Sequence, residues 1–420
     1  MSKIFKFGGA SVKSTEEIIN LKNIVLTNEI GLSVIVVSAI DKTTNKLEEV
    51  YKYFKSGDQK SALQKTRICI DTHYKIIEGL SLENNNQFKK HFNSLTDELL
   101  NFIGANKKID KEQCYSKIVS YGELWSTSII SYYLNAEGIN NQWLDARKVI
   151  KTTGSFVEGK VNWQASSKQI NNSCSNDIIS VTQGFIASNS NNEVTTLGRE
   201  GSDFSAAIFA WCLDSQEVLI WKDVDGLLNA DPKWFKQTEV LSSISFKEAV
   251  ELSYLGASVI HPNTIKPLQN KNINLRIKSF LNPSLSGTLI SEIGDNDGQI
   301  PSFIYKPNQI LISISTKDYS YVFEEHISEI FGIFSSHGFK VHLMQNSALS
   351  FSVCGIINSH ELSNLINVLQ ENYKVRFNEK VDLITVRHYN NTKLPDFLTS
   401  KEVILSQKTR NTLRFVLKND

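Results

Sequence analysis

The stretch KFGGASVKS, residues 6–14, decides how the rest of the chain is read. It joins the end of an apolar run, Lys6-Phe7, to a polar segment through the adjacent Gly8 and Gly9. Two glycines let the backbone turn sharply and approach something bulky. N–H groups freed in such a turn form a concavity suited to an anion, and Lys6 adds a formal charge there. Ser14-Thr15-Glu16-Glu17 reads as a capping box opening a helix whose positive end faces the turn. A surface β-turn between a first strand and a first helix also accounts for the stretch, because short glycine motifs recur by chance.

Outward from this turn, strand and helix signals alternate. Continuous apolar runs of buried-strand type occur at residues 32–39 (LSVIVVSA), 177–185 (DIISVTQGF) and 217–221 (EVLIW), with a further strand at 272–277. Residues 202–213 have helical composition and follow a second glycine turn, and residues 56–137 read as successive helices. Such alternation predicts a mainly parallel sheet covered by helices on both faces, with ligands beyond the carboxyl ends of the strands. The turns after Phe7 and Leu197 both fall at that edge.

The character changes at residues 294–307 (GDNDGQIPSFIYKP), read as a linker. Beyond it, strands at 309–315, 340–345, 349–354 and 373–378 with helices at 321–336 and 359–371 give a β-α-β-β-α-β unit. The hairpin sequences 341–345 and 349–353 are echoed at 403–407 and 413–416. One complete module, 308–380, and one reduced module, 381–420, are therefore expected, against the alternative of coincidental hairpin similarity.

Composition excludes some classes. With 420 residues, 41% hydrophobic, 21% charged and net charge +1, the chain supports two or more domains with sizeable cores. A near-neutral balance argues against nucleic acid or anionic membrane as partner. MSKIFKFGG enters a strand pattern without the apolar stretch of a signal peptide, so a cytoplasmic protein is expected. Five cysteines without CxxC or Cys/His spacing fit reduced thiols better than disulfides or zinc, and no metal-ligating set is read.

Three further stretches carry chemistry. TTLGREGSD, 195–203, is a glycine turn with Arg199 inside it and Ser202 and Asp203 at the following helix start. WKDVDGLLNADPK, 221–233, is a strand exit and polar loop; SYGE, 120–123, leads into a helix. Helix caps and a solvated loop are the plain alternatives. Trp125, Trp143, Trp211 and Trp221 read as core, and His261 before Pro262 as structural. Two glycine turns at one sheet edge, each with a cation, suit a polyphosphate and a second anion. If that anion is a carboxylate acceptor, it is already ionised at neutral pH and needs charge neutralisation and in-line positioning rather than a general base. The residues themselves thus support a kinase of a small acid.

Lys6-Phe7-Gly8-Gly9-Ala10-Ser11-Val12, Val36-Val37-Ser38-Ala39, Thr44-Asn45-Lys46-Leu47, Gly122-Glu123, Asp145-Ala146-Arg147 and Gly198-Arg199-Glu200-Gly201-Ser202-Asp203 occur in this order. Gly256-Ala257, Val259-Ile260-His261-Pro262 and Gly287-Thr288 follow. Together they resemble the aspartate kinases of the amino acid kinase superfamily over nearly the whole chain. The resemblance implies an α/β fold, a three-layer αβα sandwich with a mainly parallel sheet, plus C-terminal α+β ACT-like modules. It implies a catalytic domain at 1–295, a linker at 296–307 and a regulatory region at 308–420. It implies phosphorylation of L-aspartate by ATP with Mg²⁺, giving 4-phospho-L-aspartate, the first step towards lysine, threonine and methionine. By the same matching, Lys6 and Asp203 are catalytic. Lys6, Phe7, Gly8, Gly9, Ser11, Lys222, Asp223, Leu228, Lys233 and Ser258 fall at the nucleotide, and Ser38, Thr44, Glu123, Arg199 and Ser202 at aspartate. An amino-acid effector, lysine or threonine, is expected near Val341, His342 and Ser347, with a homodimer formed through the ACT region.

Several positions depart from the family pattern. Ala10 replaces Thr, Glu200 replaces Gly, Lys222 replaces Thr and Ser258 replaces Lys, while Leu228 and Lys233 replace an aromatic residue and Arg. The side chain of Glu200 is expected to point away from the anion site. A kinase of another small acid, or a catalytically weak amino-acid-binding regulator, are the competing expectations.

Overall fold

The computed structural model describes residues 2–28, 30–105, 109–175, 177–257, 260–294, 297–318, 320–389 and 401–419. It divides into two compact units: Met1–Leu227 with Val240–Ser253 and Val259–Asp295, and Leu228–Glu239 with Tyr254–Ser258 and Asn296–Asp420.

The strands of the first unit are β1 (Lys3–Phe7), β2 (Leu32–Val37), β3 (Asn141–Leu144), β4 (Thr152–Thr153), β5 (Lys160–Val161), β6 (Ile179–Gln183), β7 (Ile186–Ser188), β8 (Val194–Thr196), β9 (Glu217–Lys222), β10 (Ser243–Ser245), β11 (Asn274–Ser279) and β12 (Thr288–Ser291). Eight of them form one sheet in the order β10-β12-β11-β9-β1-β2-β6-β3. Every pairing is parallel except β11 with β12. All six residues of β2 are buried, as are Ile4, Phe5, Lys6 and Phe7 of β1. Side chains alternate between faces along a strand, so burial at every position means that helices cover both sides. This is the layered α/β arrangement expected from the apolar runs.

The helices of this unit are α1 (Thr15–Thr27), α2 (Thr43–Lys55), α3 (Gln59–Gly79), α4 (Asn86–Ala105), α5 (Lys111–Val119), α6 (Tyr121–Ala136), α7 (Ala146–Val149), α8 (Trp163–Ser173), α9 (Gly201–Cys212), α10 (Phe246–Leu255, whose last two residues fall in the second unit) and α11 (Pro262–Asn270). Buried on nearly all sides, α6 packs on β2, β3 and β6, whereas α9 crosses β1, β2 and β9. The glycine turn of the opening stretch differs from its expectation in one respect. A single 3₁₀ turn, Gly9–Val12, separates β1 from α1, so the main chain beside the glycines belongs to that turn and not to the start of α1. Ser14 precedes α1, but its hydroxyl donates to the carboxylates of Glu16 and Glu17, and no side-chain cap reaches the helix backbone.

The second unit carries β13 (Ser302–Thr316), α12 (Glu324–Ser336), β14 (Lys340–Asn346), β15 (Phe351–Ile356), α13 (Ser359–Asn372), β16 (Tyr373–Arg387), β17 (Val403–Lys408) and β18 (Thr412–Leu417). The β-α-β-β-α-β order follows the sequence reading. The six strands form one antiparallel sheet, β14-β15-β13-β16-β18-β17. Ile310, Ile312 and Ile314 alternate onto the face that meets Ile330 and Phe334 of α12 and Leu365 and Leu369 of α13. Leu311 points the other way, towards Leu343, Val381, Leu383 and Val416. Residues 302–307 were expected in a linker, yet they are paired strand, Lys306 opposite Leu383. Pro301 and Pro307 suggested a break. A bulge between Lys306 and Gln309, with Asn308 at φ 56°, absorbs the second proline and lets the ladder continue. The connection at 390–400 lies outside the described residues.

Candidate active site

Three adjacent strands build the site. β9, β1 and β2 lie side by side in parallel, with Trp221 opposite Phe7 and Phe7 opposite Val37. Their carboxyl ends deliver Lys222, the turn after Phe7, and Ser38 to one edge, where ligands of parallel sheets bind. The turn is held closely. Ser38 N–H donates to Phe7 carbonyl oxygen (3.1 Å), and Asp41 N–H to that of Gly9 (3.2 Å). A Cβ on Gly9 would stand 2.8 Å from Ala39 carbonyl oxygen and 2.9 Å from that of Asp41, so no other residue fits without displacing main chain. The N–H groups of Gly8 and Gly9 make no hydrogen bond to protein among the described residues.

A cavity of about 540 Å³ opens at this edge, lined by Lys6, Lys222, Ser38, Thr44, Glu123, Arg199, Ser202 and Asp203, among others. Asp203 enters from the first turn of α9, and its Oδ1 lies 2.6 Å from Lys6 Nζ. Lys222 Nζ is 3.9 Å from Asp203 Oδ2. Burial by itself would push the Asp203 carboxyl up, but Lys6 and Lys222 beside it hold it below the usual carboxylate range. Two lysines around one carboxylate leave a net positive charge in a secluded place, suited to a polyanion.

Glu123 sits on α6 at the other side. Its Oε1 accepts the Ala39 N–H at 3.3 Å, and its buried Oε2 has no hydrogen-bond partner among the described residues. Burial pushes its carboxyl up to about 8. A buried carboxylate oxygen without a donor costs free energy unless a ligand provides one. Arg199, exposed on the turn before α9, forms no ion pair with a described residue. Glu200 adopts the left-handed region at φ 54°, and its Oε2 accepts the His261 N–H at 2.9 Å. Its carboxylate is thus tied to the start of α11, where His261 caps the helix through Nδ1 and Asn263 N–H.

The other expected positions divide. The Phe7 ring is fully buried, stacked on Trp221 with centroids 6.1 Å apart, so only its main chain faces outward. The Ser11 hydroxyl donates to Trp221 carbonyl oxygen (3.3 Å) and clamps the turn to β9. Asp223 is exposed immediately after Lys222. Leu228 and Lys233 belong to the second compact unit, and Ser258 lies outside the described residues. At the expected effector positions, Val341 and His342 are half-buried on β14. His342 Nδ1 is 2.7 Å from Gln309 Oε1, and the ring is held down to about 4 by burial first and then by Lys306 and Arg414. Ser347 closes the turn to β15, its N–H donating to Ser350 carbonyl oxygen. Sequence reasoning missed Glu48 and Tyr115, which line the cavity with the Tyr115 hydroxyl donating to Glu48 Oε1 at 2.8 Å. Glu48 falls four residues after Thr44 on α2, the spacing that places two side chains on one helix face. Tyr115 carried no signal.

Residues 1–279 match the amino acid kinase family. The chain belongs to that family. Among curated relatives, this amino acid kinase is 29% identical over 395 residues to bifunctional aspartokinase/homoserine dehydrogenase 2, chloroplastic, of Arabidopsis thaliana, covering 90% of this chain and 42% of that protein. It is 31% identical over 360 residues to aspartokinase 1, chloroplastic, of the same plant, covering 83% of this chain and 62% of the relative. The chain thus spans less than half the length of the bifunctional relatives. Among solved structures, E. coli aspartokinase III in complex with lysine and aspartate superposes with a TM-score of 0.82 at 25% identity, covering 99% of this chain and 95% of that one. The same enzyme with aspartate and ADP gives 0.80. The parallel sheet with a separate antiparallel sheet is the arrangement expected from the resemblance. No helix among the described residues is long and apolar enough to cross a membrane.

Proposed function

We propose that the chain is an aspartate kinase, transferring the γ-phosphoryl group of ATP to the side-chain carboxylate of L-aspartate. The observation that carries this reading is the pairing, within one cavity, of a Lys6–Asp203–Lys222 cluster with the buried Glu123, whose Oε1 accepts the Ala39 N–H while its Oε2 is left without a donor among the described residues. The first fits transferring phosphate. The second fits the ammonium group of an amino acid. Similarity to an aspartokinase solved with aspartate and ADP supports both assignments.

In this mechanism Glu123 receives the α-ammonium and Arg199 the α-carboxylate, with bidentate geometry available to the guanidinium. Ser38, Thr44 and Ser202 offer hydroxyl groups to the same substrate. The β-carboxylate is ionised at neutral pH and attacks the γ-phosphorus directly. One P–O bond forms to the carboxylate as the bond to the β-phosphate oxygen breaks, and ADP leaves with that electron pair. Lys6, Lys222 and the Gly8 and Gly9 N–H groups neutralise the phosphoryl oxygens, while Asp203 holds both lysines in place. Mg²⁺ carried on the triphosphate would supply further neutralisation between the two anions. Phe7 and Ser11 hold the turn beside the nucleotide, and Asp223 follows Lys222 at the same strand end.

The reading extends to residues 308–420 as an ACT-type regulatory region, with lysine or threonine as effector near Val341, His342 and Ser347, and to a homodimer through that region. It places the protein in the cytoplasm, where its five free cysteines stay reduced. ATP-dependent aspartyl hydroxamate formation, with and without lysine and threonine, tests the proposal. Hydroxamate that requires both aspartate and ATP is expected, with turnover falling as one amino acid is added. Absence of hydroxamate from aspartate, with product from glutamate, would move the assignment to another small acid.

A further inference from the structure

A second cavity lies in the first unit. It has a volume of about 670 Å³ and lies between α8, α9 and α11. Its aromatic wall consists of Trp163, Trp211 and Phe204, all half-buried. Trp163 is the centre of that wall, 4.9 Å from Trp211 and 6.3 Å from Phe204, both at steep interplanar angles of 59° and 66°. Sequence reading assigned Trp211 to the core. In the structure one face of its ring is covered by Lys271 Nζ, 4.0 Å from the centroid, and the residue lines the cavity.

The polar lining is unequal in charge. Lys160, Arg199 and Lys266 contribute three cations and Glu158 one carboxylate, with His261, Asn263 and Asn270 as neutral hydrogen-bonding groups. The walls are pinned to one another. Gly159 N–H donates to Thr196 carbonyl oxygen at 2.9 Å, Glu200 Oε2 takes the His261 N–H, and Lys271 Nζ donates to Trp211 carbonyl oxygen at 2.7 Å. A preformed, aromatic-walled cavity of this size with a few placed polar groups matches the general form of a small-molecule site. Rings tilted steeply against one another present both π-faces and edges to a planar guest, and the excess cations select a negative one.

We infer that this cavity binds a small planar aromatic anion, separately from the phosphoryl-transfer site. Arg199, Gly198 and Glu158 line both cavities. An anion here therefore draws on the same guanidinium as the acceptor site and raises the acceptor requirement; this second consequence rests on the proposed aspartate reading, whereas binding itself does not.

Calorimetric titration of the full chain with indole-3-acetate tests it, with indole-3-acetamide as the uncharged ligand of the same shape. Binding with a Kd on the order of 0.1 mM is expected for a ligand of this size, at least tenfold weaker for the amide. Trp163→Ala and the exposed Lys266→Glu each weaken indole-3-acetate at least tenfold, while Lys6→Ala leaves it unchanged. In hydroxamate assays the ligand raises the aspartate KM and leaves that of ATP alone. No heat at millimolar indole-3-acetate, equal binding of acid and amide, or binding lost in Lys6→Ala but kept in Trp163→Ala and Lys266→Glu overturns the inference. Because binding is read without turnover, a chain inactive towards aspartate still tests it.

Discussion

Burial holds Glu123 protonated at neutral pH, with its carboxyl pushed up to about 8, yet the proposed aspartate complex needs it ionised against the α-ammonium. The apparent aspartate KM then scales as one plus the ratio of protonated to ionised Glu123. It falls about ninefold from pH 6 to 7 and about fivefold more from pH 7 to 8, as follows from a single titration near 8. Binding at pH 7 releases about 0.9 proton, readable by calorimetry in buffers of different ionisation enthalpy. Glu123→Gln keeps the shape, removes the pH dependence and raises the KM above the wild-type value at pH 8. The same substitution changes stability in the opposite sense. With a folded-state value raised above the ordinary 4.5, Glu123 contributes its stability fully below that value and loses it as pH rises towards 8. Between pH 5 and 7 the loss amounts to about 2.5 kcal/mol, so Glu123→Gln melts higher than wild type at pH 7 and nearly level with it at pH 5. An aspartate KM flat from pH 6 to 8, with no proton released, would refute the reasoning.

Other outcomes follow from the same site. Lys6→Ala lowers kcat by about a thousandfold with a smaller change in the aspartate KM, because its charge is needed chiefly in the transition state. Asp203→Asn keeps the shape but frees Lys6 and Lys222 from their shared carboxylate, and steady-state kinetics should show kcat down by about a hundredfold. Arg199→Lys raises the aspartate KM about tenfold and that of ATP less than twofold, since an ammonium cannot replace a bidentate fork. Equal effects on the two substrates would contradict the assignment. Gly9→Ala forces a methyl group against two carbonyl oxygens, and a melting experiment should find a loss of about 1–3 kcal/mol together with lost activity.

Local chemistry made much of this legible. A strand that ends in a glycine turn declares itself within ten residues, and parallel pairing then brings such ends together, as with Phe7, Val37 and Trp221. Lys6, Arg199, Ser202 and Asp203 are read from the glycine turns themselves, whereas Ser38, Thr44, Glu123 and Lys222 are expected from the resemblance; all eight line one cavity. Whether a side chain faces outward is a property of packing. The Phe7 ring stacks inside the core, and the hydroxyl of Ser11 turns to Trp221, although both residues sit in the right turn. Tyr115 reaches the cavity from a helix chosen by the tertiary fold. Pro307 misled because a proline marks a break unless a bulge takes up its missing donor. Trp163 and Trp211 show the same limit, since spacing alone does not separate a buried indole from one that walls a cavity.

The long strands β13 and β16, each of 15 residues, run side by side through the whole antiparallel sheet. Both hairpins lean on this shared pair, so the two halves have no separate existence as folding units. During synthesis, residues 382–387 of β16 emerge with Leu383, Ile384 and Val386 and stay an open edge until residues 412–417 arrive to pair with them. An apolar, unpaired edge invites association with other chains. A ribosome that stalls between these segments therefore releases a protein whose kinase unit has already been translated but whose sheet is sticky along one side.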